Sequence, residues 1–204
     1  MKKLIFLLVG TWLCATSYSQ NVESYETMFL DVILPEKEEF PEIILDERFD
    51  FLKTEDSLLF GIDFSHYSLA RDWNAIKYDS LNTQSHFVIM RSTMGADSID
   101  YHYQQNLLYA KVFNFVTGSY HYFRSHQSGR EQAYHYLKHT HFECKTLIPI
   151  IDIEYKRKSI SEEKMRKELL ICLKVIEEVV GVKAMIYTNL NFYNKYLKGH
   201  REFD

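Results

Sequence analysis

Short apolar runs alternate with amphipathic stretches along the chain from residue 58 onward. The apolar runs are typical of buried strands, and we predict five of them, at residues 58–64, 86–90, 115–123, 146–153 and 184–188. The other stretches have helical periodicity and predict helices between the fourth and fifth strands and at residues 73–78, 103–113, 129–139 and 190–197. Five consecutive strand–helix units indicate an α/β fold with a parallel sheet and right-handed crossovers.

The clearest predicted helix lies between the fourth and fifth strands. One apolar face follows from residues spaced three and four apart, namely Met165, Leu169, Cys172, Ile176 and Val179. Ser159 and Glu162 are predicted to form a capping box at its start, and Gly181 is the expected left-handed stop. A disulfide between Cys144 and Cys172 is possible in an exported protein. The place of Cys172 on the apolar face favours a small buried thiol instead.

The first residues have the pattern of a secretion signal. Lys2 and Lys3 precede an apolar run at residues 4–15, and Ser17 and Ser19 provide small residues for a signal peptidase. The run is short for a membrane span, so we favour cleavage over a retained anchor. The sequence therefore predicts a signal peptide at residues 1–19 and a protein exported to the periplasm or the extracellular space.

An acidic segment follows the predicted signal. Residues 20–57 hold twelve Asp or Glu and three Lys or Arg, whereas the whole chain has a formal charge of −4. We predict a solvated N-terminal extension. Apolar runs at residues 28–34 and 43–51 leave open that the segment packs on the domain or adds strands to it. The sequence from residue 58 has no Gly-rich phosphate loop and no basic stripe for nucleic acid.

Two acidic residues end the fourth predicted strand. Residues two apart on a strand face the same side, so Asp152 and Glu154 are expected to project together, with Cα atoms about 6.5–7 Å apart. Such a pair suits glycosidic cleavage, in which one carboxyl protonates the leaving oxygen and the other stabilises positive charge. Mutual repulsion favours a proton on one of them near neutral pH, and the longer reach of Glu154 makes it the expected acid. A solvated strand end or a divalent metal site are the alternatives.

A third carboxylate and several spaced motifs place this pair in a larger pattern. Asp63 ends the first strand, at the same edge of a parallel sheet. The sequences Gly61-Ile62-Asp63-x-Ser65-x-Tyr67 and Pro149-x-x-Asp152-x-Glu154 resemble the first and fourth strands of glycoside hydrolase family 25 lysozymes. Further matches are collinear between residues 60 and about 198, at Asp72-Trp73, Asp100, Tyr103, Asn106, Ala110, Gly118 to Phe123, Ile186 to Thr188, Phe192 and Tyr196-Leu197.

The resemblance implies a TIM-barrel-like (β/α)5(β)3 flattened barrel, of which the sequence holds the first five β/α units. It also implies a muramidase that cleaves the β-1,4 bond between N-acetylmuramic acid and N-acetylglucosamine in peptidoglycan glycan strands. Glu154 would donate the proton, Asp152 would assist, and Asp63 would line the same site. Tyr67, Tyr120 and Tyr187 are candidate sugar contacts, and a core role is the alternative for Tyr120 and Tyr187. The resemblance implies no metal and no organic cofactor.

Two features differ from the family pattern. Met94 stands where the family usually has a Glu at the end of its second strand, and it removes a polar group from the rim of the expected cleft. The fifth unit ends near Leu197, so the three further strands have no counterpart and residues 58–204 are expected to form an incomplete barrel. A truncated gene product or an incomplete gene model is the favoured explanation; the alternatives are that the acidic N-terminal region covers the gap or that the barrel closes through a partner. A non-catalytic glycan-binding or interaction protein, or an inactive remnant, is therefore the alternative function.

Two other groups of residues have possible functions. Glu131, His135 and His139 are four residues apart on one predicted helix, which permits zinc binding, although a solvated or interfacial His pair is the favoured interpretation. Lys156, Arg157 and Lys158 follow Glu154 directly. They are expected to be a solvated loop, with contact to acidic parts of peptidoglycan as the alternative.

Overall fold

One parallel sheet organises the protein in a computed structural model that describes residues 60–65, 73–77, 85–142 and 146–203. The predicted signal peptide and acidic extension lie outside the described residues, as do Tyr67, Asp72 and Cys144. The strands are β1 (Phe60–Phe64), β2 (Ser85–Met94), β3 (Ser98–Ile99), β4 (Val116–Tyr122), β5 (Ile150–Asp152) and β6 (Met185–Tyr187). The helices are α1 (Trp73–Lys77), α2 (Tyr103–Val112), α3 (Gly129–His139), α4 (Glu162–Val180) and α5 (Leu190–Phe192).

The sheet order is β1-β2-β4-β5-β6, and every pair along this path is parallel. A helix follows each of these strands, so the five predicted β/α units and the TIM-barrel-like α/β fold are confirmed. The short strand β3 was not predicted. It pairs antiparallel with the end of β2, which continues four residues beyond its predicted limit because Arg91 to Met94 still pair with β4.

Helix boundaries differ from the predictions at two places. The prediction that Ser159 begins α4 is wrong, because the N-cap is Ser161, whose extended backbone lets its hydroxyl accept a hydrogen bond from the Lys164 N–H at 3.1 Å. Since residue 164 is a lysine, no reciprocal capping box forms. At the other end Gly181 is left-handed with φ 79°, as predicted. Helix α5 is only three residues long and continues as a π-helix, Tyr193–Leu197.

The core lies mainly between the sheet and its helices. Ile151 of β5 and Ile153, just beyond its end, are fully buried under the helices, where they pack with apolar residues of α3 and α4, among them Ala133, Met165, Leu169 and Ile176. The opposite, inner face carries a smaller apolar cluster built on Phe87, Ile89 and Ile150. Alternation along the strands therefore places the apolar outer residues under helices and leaves the polar residues at the strand ends on the inner face.

Helices α3 and α4 make a close contact at Gly129. A Cβ atom at this position would lie 1.8 Å from the backbone oxygen of Glu168, and the Gly129 N–H donates to the Glu168 carboxylate at 2.8 Å. Cys172 lies beside the same contact as a free, fully buried thiol, which confirms the interpretation that its apolar position favoured. Burial raises the pKa of this thiol, so it stays protonated.

Within the described ranges, the helices are all too short or too polar to cross a lipid bilayer.

Candidate active site

A row of four residues crosses the carboxyl end of the sheet. Met94 on β2 pairs with Tyr122 on β4, Tyr122 pairs with Asp152 on β5, and Asp152 pairs with Tyr187 on β6. Paired residues of neighbouring strands leave the sheet on the same side. The inner face therefore presents a buried carboxyl flanked by two phenol rings.

Asp152 is at the centre of this row and is 7% exposed. Burial, followed by the negative charges of Glu154 and Asp63, raises the pKa of its carboxyl to about 8 against the opposing positive charge of Arg91. Its Oδ1 atom is buried and has no hydrogen-bond partner among the described residues. An unpartnered buried acceptor is costly, so this atom is suited to a partner that a ligand brings.

Glu154 lies two residues beyond Asp152, past the end of β5, and is exposed. The residue between them, Ile153, is fully buried, and its N–H donates to the backbone carbonyl oxygen of Tyr187 at 2.9 Å. Thr188 donates its hydroxyl hydrogen to the Ile153 carbonyl oxygen. These bonds to the β6 end fix the backbone from which Glu154 projects.

Asp63 occupies the corresponding end of β1, where its backbone pairs with Ile89. Desolvation raises the pKa of its carboxyl and a backbone hydrogen bond opposes this effect. Its charge raises the pKa values of Asp152, Tyr120 and Tyr187. The structure thus brings the three sequence-predicted carboxyl groups into one electrostatic cluster.

The tyrosines differ in how deeply they lie in this cluster. Tyr120 pairs with Ile150 one step below the row, and burial followed by the charge of Asp152 raises the pKa of its hydroxyl. Tyr187 is half-buried, and desolvation together with the charges of Glu154, Asp152 and Asp63 raises its pKa to about 12. Both hydroxyls are therefore neutral hydrogen-bond donors near the carboxyl groups. They also pack on the inner apolar cluster, so each combines a core role with a place in the site.

Tyr122 was missed by the sequence analysis. It is half-buried, stands beside Asp152 on the row, and has its pKa raised by burial and by the charges of Asp152 and Glu154. The spacing Tyr120-x-Tyr122 on a predicted strand was a usable signal, because residues two apart share a face.

A buried ion pair supports the site from one side and was also missed. The Arg91 Nε and Nη2 atoms each lie 3.1 Å from Asp100 Oδ2, and the side chains are 8% and 2% exposed. Asp100 also accepts a hydrogen bond from the His102 N–H at 3.1 Å, next to the start of α2. Arg91 is thereby held where its positive charge opposes the increase in the pKa of Asp152. The nine-residue separation of the partners gave no local signal in the sequence.

His121 lies on the outer face and takes no part in the acidic cluster. It is fully buried, with Nδ1 2.8 Å from the Thr93 hydroxyl and Nε2 3.3 Å from Gln132 Oε1. Desolvation lowers its pKa to about 3, so the ring is neutral and links β2 and β4 to α3.

The histidines of α3 are engaged in contacts of their own. His135 Nε2 lies 3.1 Å from the Ser98 carbonyl oxygen, which places this side chain at the interface with β3. The His135 and His139 rings are 4.7 Å apart. Among the described residues no group of His, Cys, Asp or Glu has the arrangement of a metal site.

Comparison with known families gives a match over most of the described chain. The family model described as Glycosyl hydrolases family 25 matches residues 62–203. The uncharacterized protein YegX of Escherichia coli strain K12 is 28% identical over 141 residues, which are 69% of this chain and 52% of YegX. The chain thus spans about half the length of this relative.

Solved structures share the fold. A family 25 glycosyl hydrolase from Bacillus anthracis superposes with a TM-score of 0.61 at 24% identity, over 68% of this chain and 64% of that chain. A GH25 lysozyme from Aspergillus fumigatus gives a TM-score of 0.60 at 23% identity, over 68% of each chain. At this level of identity the similarity establishes the architecture.

Proposed function

Because the chain belongs to the glycosyl hydrolases family 25, we propose that it hydrolyses peptidoglycan glycan strands. The bond cleaved is the β-1,4 link between N-acetylmuramic acid and N-acetylglucosamine. The substrate lies outside the cytoplasmic membrane, in agreement with the predicted signal peptide at residues 1–19. The reacting groups are side chains of the protein and groups of the substrate.

The observation that carries this proposal is the acidic cluster on the inner face. Asp152, Glu154 and Asp63 come from the ends of two different strands, and their charges act on one another. Glycoside hydrolysis requires two carboxyl groups that differ in protonation. Burial of Asp152 and exposure of Glu154 create two such different environments on adjacent positions of one face.

Glu154 is the proposed proton donor, because its exposed carboxyl can reach the oxygen of the leaving sugar. In the empty site the raised pKa of Asp152 keeps a proton on its buried carboxyl near neutral pH. Positive charge that develops beside Asp152 stabilises its ionised form. Once Asp152 is ionised, its proton is available to Glu154, which then donates it to the leaving oxygen as the glycosidic bond breaks.

Asp152 has a second proposed task, the orientation of the substrate's acetamido group. Its buried Oδ1 atom lacks a partner among the described residues, and an amide N–H would satisfy it. The acetamido oxygen could then attack the anomeric carbon while Glu154 protonates the departing oxygen. The flanking rings of Tyr122 and Tyr187 provide flat surfaces and hydroxyl donors for the sugars.

The test is release of reducing sugar from purified peptidoglycan by the wild type, Glu154→Gln and Asp152→Asn. We expect each variant to lose about 10²–10⁴-fold in rate, the usual contribution of a general acid. Glu178→Gln is the matched control, since Glu178 is exposed on α4, on the helical layer outside the sheet. Equal rates for the wild type and Glu154→Gln would contradict the proposal.

Met94 supports a second candidate, a protein that binds glycan without cleaving it. Its apolar side chain occupies the β2 position of the row, where a carboxylate would otherwise complete the acidic cluster. Under this alternative both the wild type and Met94→Glu sediment with insoluble peptidoglycan. Neither protein releases reducing sugar, although the variant has a carboxylate at this position. Sugar release by the wild type rules the alternative out.

A further inference from the structure

The loops that follow β4 and β5 are joined to each other beside the acidic cluster. The hydroxyl oxygen of Ser125 accepts a hydrogen bond from the Arg157 N–H at 2.9 Å, and Ser125 is 2% exposed. A buried side chain thus fixes the backbone at Arg157. The two loops form one continuous rim rather than two independent segments.

A second buried side chain fixes the loop after β4. Gln132 on α3 is fully buried, and its Oε1 accepts from the Arg124 N–H at 2.7 Å. Its Nε2 donates to the carbonyl oxygens of Arg124 and Gln127 at 3.1 and 3.3 Å. Both the amide oxygen and the amide nitrogen are therefore used to hold the backbone of Arg124 in place.

Cationic side chains concentrate on this rim. Arg157 and Lys158 are exposed and Arg124 is 31% exposed at its side chain. Desolvation, followed by the charges of Arg157 and Arg124, lowers the pKa of His126, which follows Arg124 by one intervening residue. We call Arg124, Arg157 and Lys158 the cationic rim.

The ion pairing of the cationic rim is weak, so its charges can bind a ligand. The ion pair of Arg124 with Asp97 is long, at 3.7 Å, and the Asp97 side chain is 68% exposed, so solvent weakens it. Lys156 is excluded from the rim because its Nζ donates to the Ile160 carbonyl oxygen and lies 5.9 Å from the Tyr196 ring centroid.

The cationic rim adjoins the acidic cluster. Arg124 follows Tyr122 by one intervening residue, and its positive charge acts on the Tyr122 hydroxyl together with the negative charges of Asp152 and Glu154. Arg157 follows Glu154 by two intervening residues. A glycan held at the carboxyl groups would therefore bring its substituents against the cationic rim.

We propose that the cationic rim is a subsite for the carboxylates of the peptide stems that N-acetylmuramic acid carries. This inference rests on the proposed function, because it places the glycan at the acidic cluster. Guanidinium groups match carboxylates in shape as well as charge, and the stems are the acidic branches of an otherwise uncharged strand. The cationic rim makes the protein selective for strands whose stems are present and ionised.

The experiment compares two forms of the same insoluble peptidoglycan, native and with its carboxylates converted to amides by carbodiimide and ammonia. Binding is measured by sedimentation in the Glu154→Gln background, which leaves the polymer uncut. We expect amidation, or the double change Arg124→Gln/Arg157→Gln on native polymer, to weaken binding roughly tenfold. Amidation should then weaken binding of the double variant much less than binding of the parent.

Lys138→Gln/Lys174→Gln is the matched control, since it removes two exposed positive charges from α3 and α4 while keeping the cationic rim. It should respond to amidation as the parent does. Thermal unfolding of both double variants checks that each is folded; the backbone bonds of Gln132 and Ser125 do not depend on the substituted side chains.

The outcomes separate the two proposals. An equal loss on amidation in the parent and in Arg124→Gln/Arg157→Gln overturns the subsite, as does the absence of any loss in the parent. If the selective loss is found but the wild type releases no reducing sugar, the subsite stands and the hydrolase proposal fails. If sugar is released without the selective loss, the hydrolase proposal stands alone.

Discussion

Tyr122 and Asp152 are register partners on adjacent parallel strands, so the phenol and the buried carboxyl leave the sheet side by side on its inner face. This pairing places a neutral hydrogen-bond donor against a carboxyl whose pKa is raised to about 8. The same row continues to Tyr187 on β6. The chemistry of the site therefore depends on three strands held in one register.

Removal of the Tyr122 hydroxyl should lower activity without unfolding the protein. Tyr122→Phe keeps the ring surface and removes a hydroxyl beside the carboxyl pair, so we expect about a tenfold lower kcat/KM on peptidoglycan. Tyr134→Phe is the control, because Tyr134 packs with the outer core of α3. A Tyr122→Phe enzyme as active as the control would show that the hydroxyl makes no contribution.

Neutralisation of Asp63 should lower the pKa of Asp152. The charge of Asp63 is one of the causes that raise this pKa, and Asp63 is itself exposed, so Asp63→Asn removes the charge with little effect on packing. The measurement is a carboxyl-carbon NMR titration of Asp152 in both proteins. An unchanged or higher pKa in the variant would contradict the electrostatic coupling between β1 and β5.

The protonation of Asp152 should also appear in the pH dependence of stability. Its folded pKa of about 8 lies above the ordinary value of 3.8, so the folded state binds a proton that the unfolded state releases between these values. The stability that the protonated group contributes is complete below about pH 3.8 and declines as pH rises toward 8.

Asp152→Asn, which mimics the protonated carboxyl, should remove this decline. We expect the variant to be more stable than the wild type by the order of 2–4 kcal/mol at pH 7 and equally stable near pH 3.5. Urea unfolding at several pH values measures the difference. A constant difference across the range would be incompatible with a raised pKa at this residue.

Gly129→Ala should destabilise the contact between α3 and α4. The added Cβ would lie 1.8 Å from the Glu168 backbone oxygen, so the helices must move apart, at a cost of about 1–3 kcal/mol. Lys138→Ala, on the exposed surface of the same helix, controls for the change to alanine. The measurement is the free energy of unfolding from urea titration of both variants. Equal stabilities of Gly129→Ala and Lys138→Ala would mean that the helices separate without an energetic cost.

Local patterns in the sequence predicted the β/α units because helix and strand periodicities are properties of short segments. Gly129–His139 was predicted to the residue, and the register of Asp152 and Glu154 on one face followed from strand alternation. Ser161 took the N-cap position expected for Ser159 because both serines precede the helix, and the choice depended on the path of the loop.

The sequence alone determined the order of the strands and helices, and it identified the carboxyl groups that belong to one edge of a parallel sheet. The tertiary structure decided the environment of each group, because burial and charge depend on residues distant in the chain. It placed Arg91 and Asp100 together, put Tyr122 beside Asp152, and gave the raised pKa to the buried Asp152. A carboxyl flanked by apolar packing and two further carboxyls resists ionisation, and no spacing along the chain records how deeply a strand end is buried.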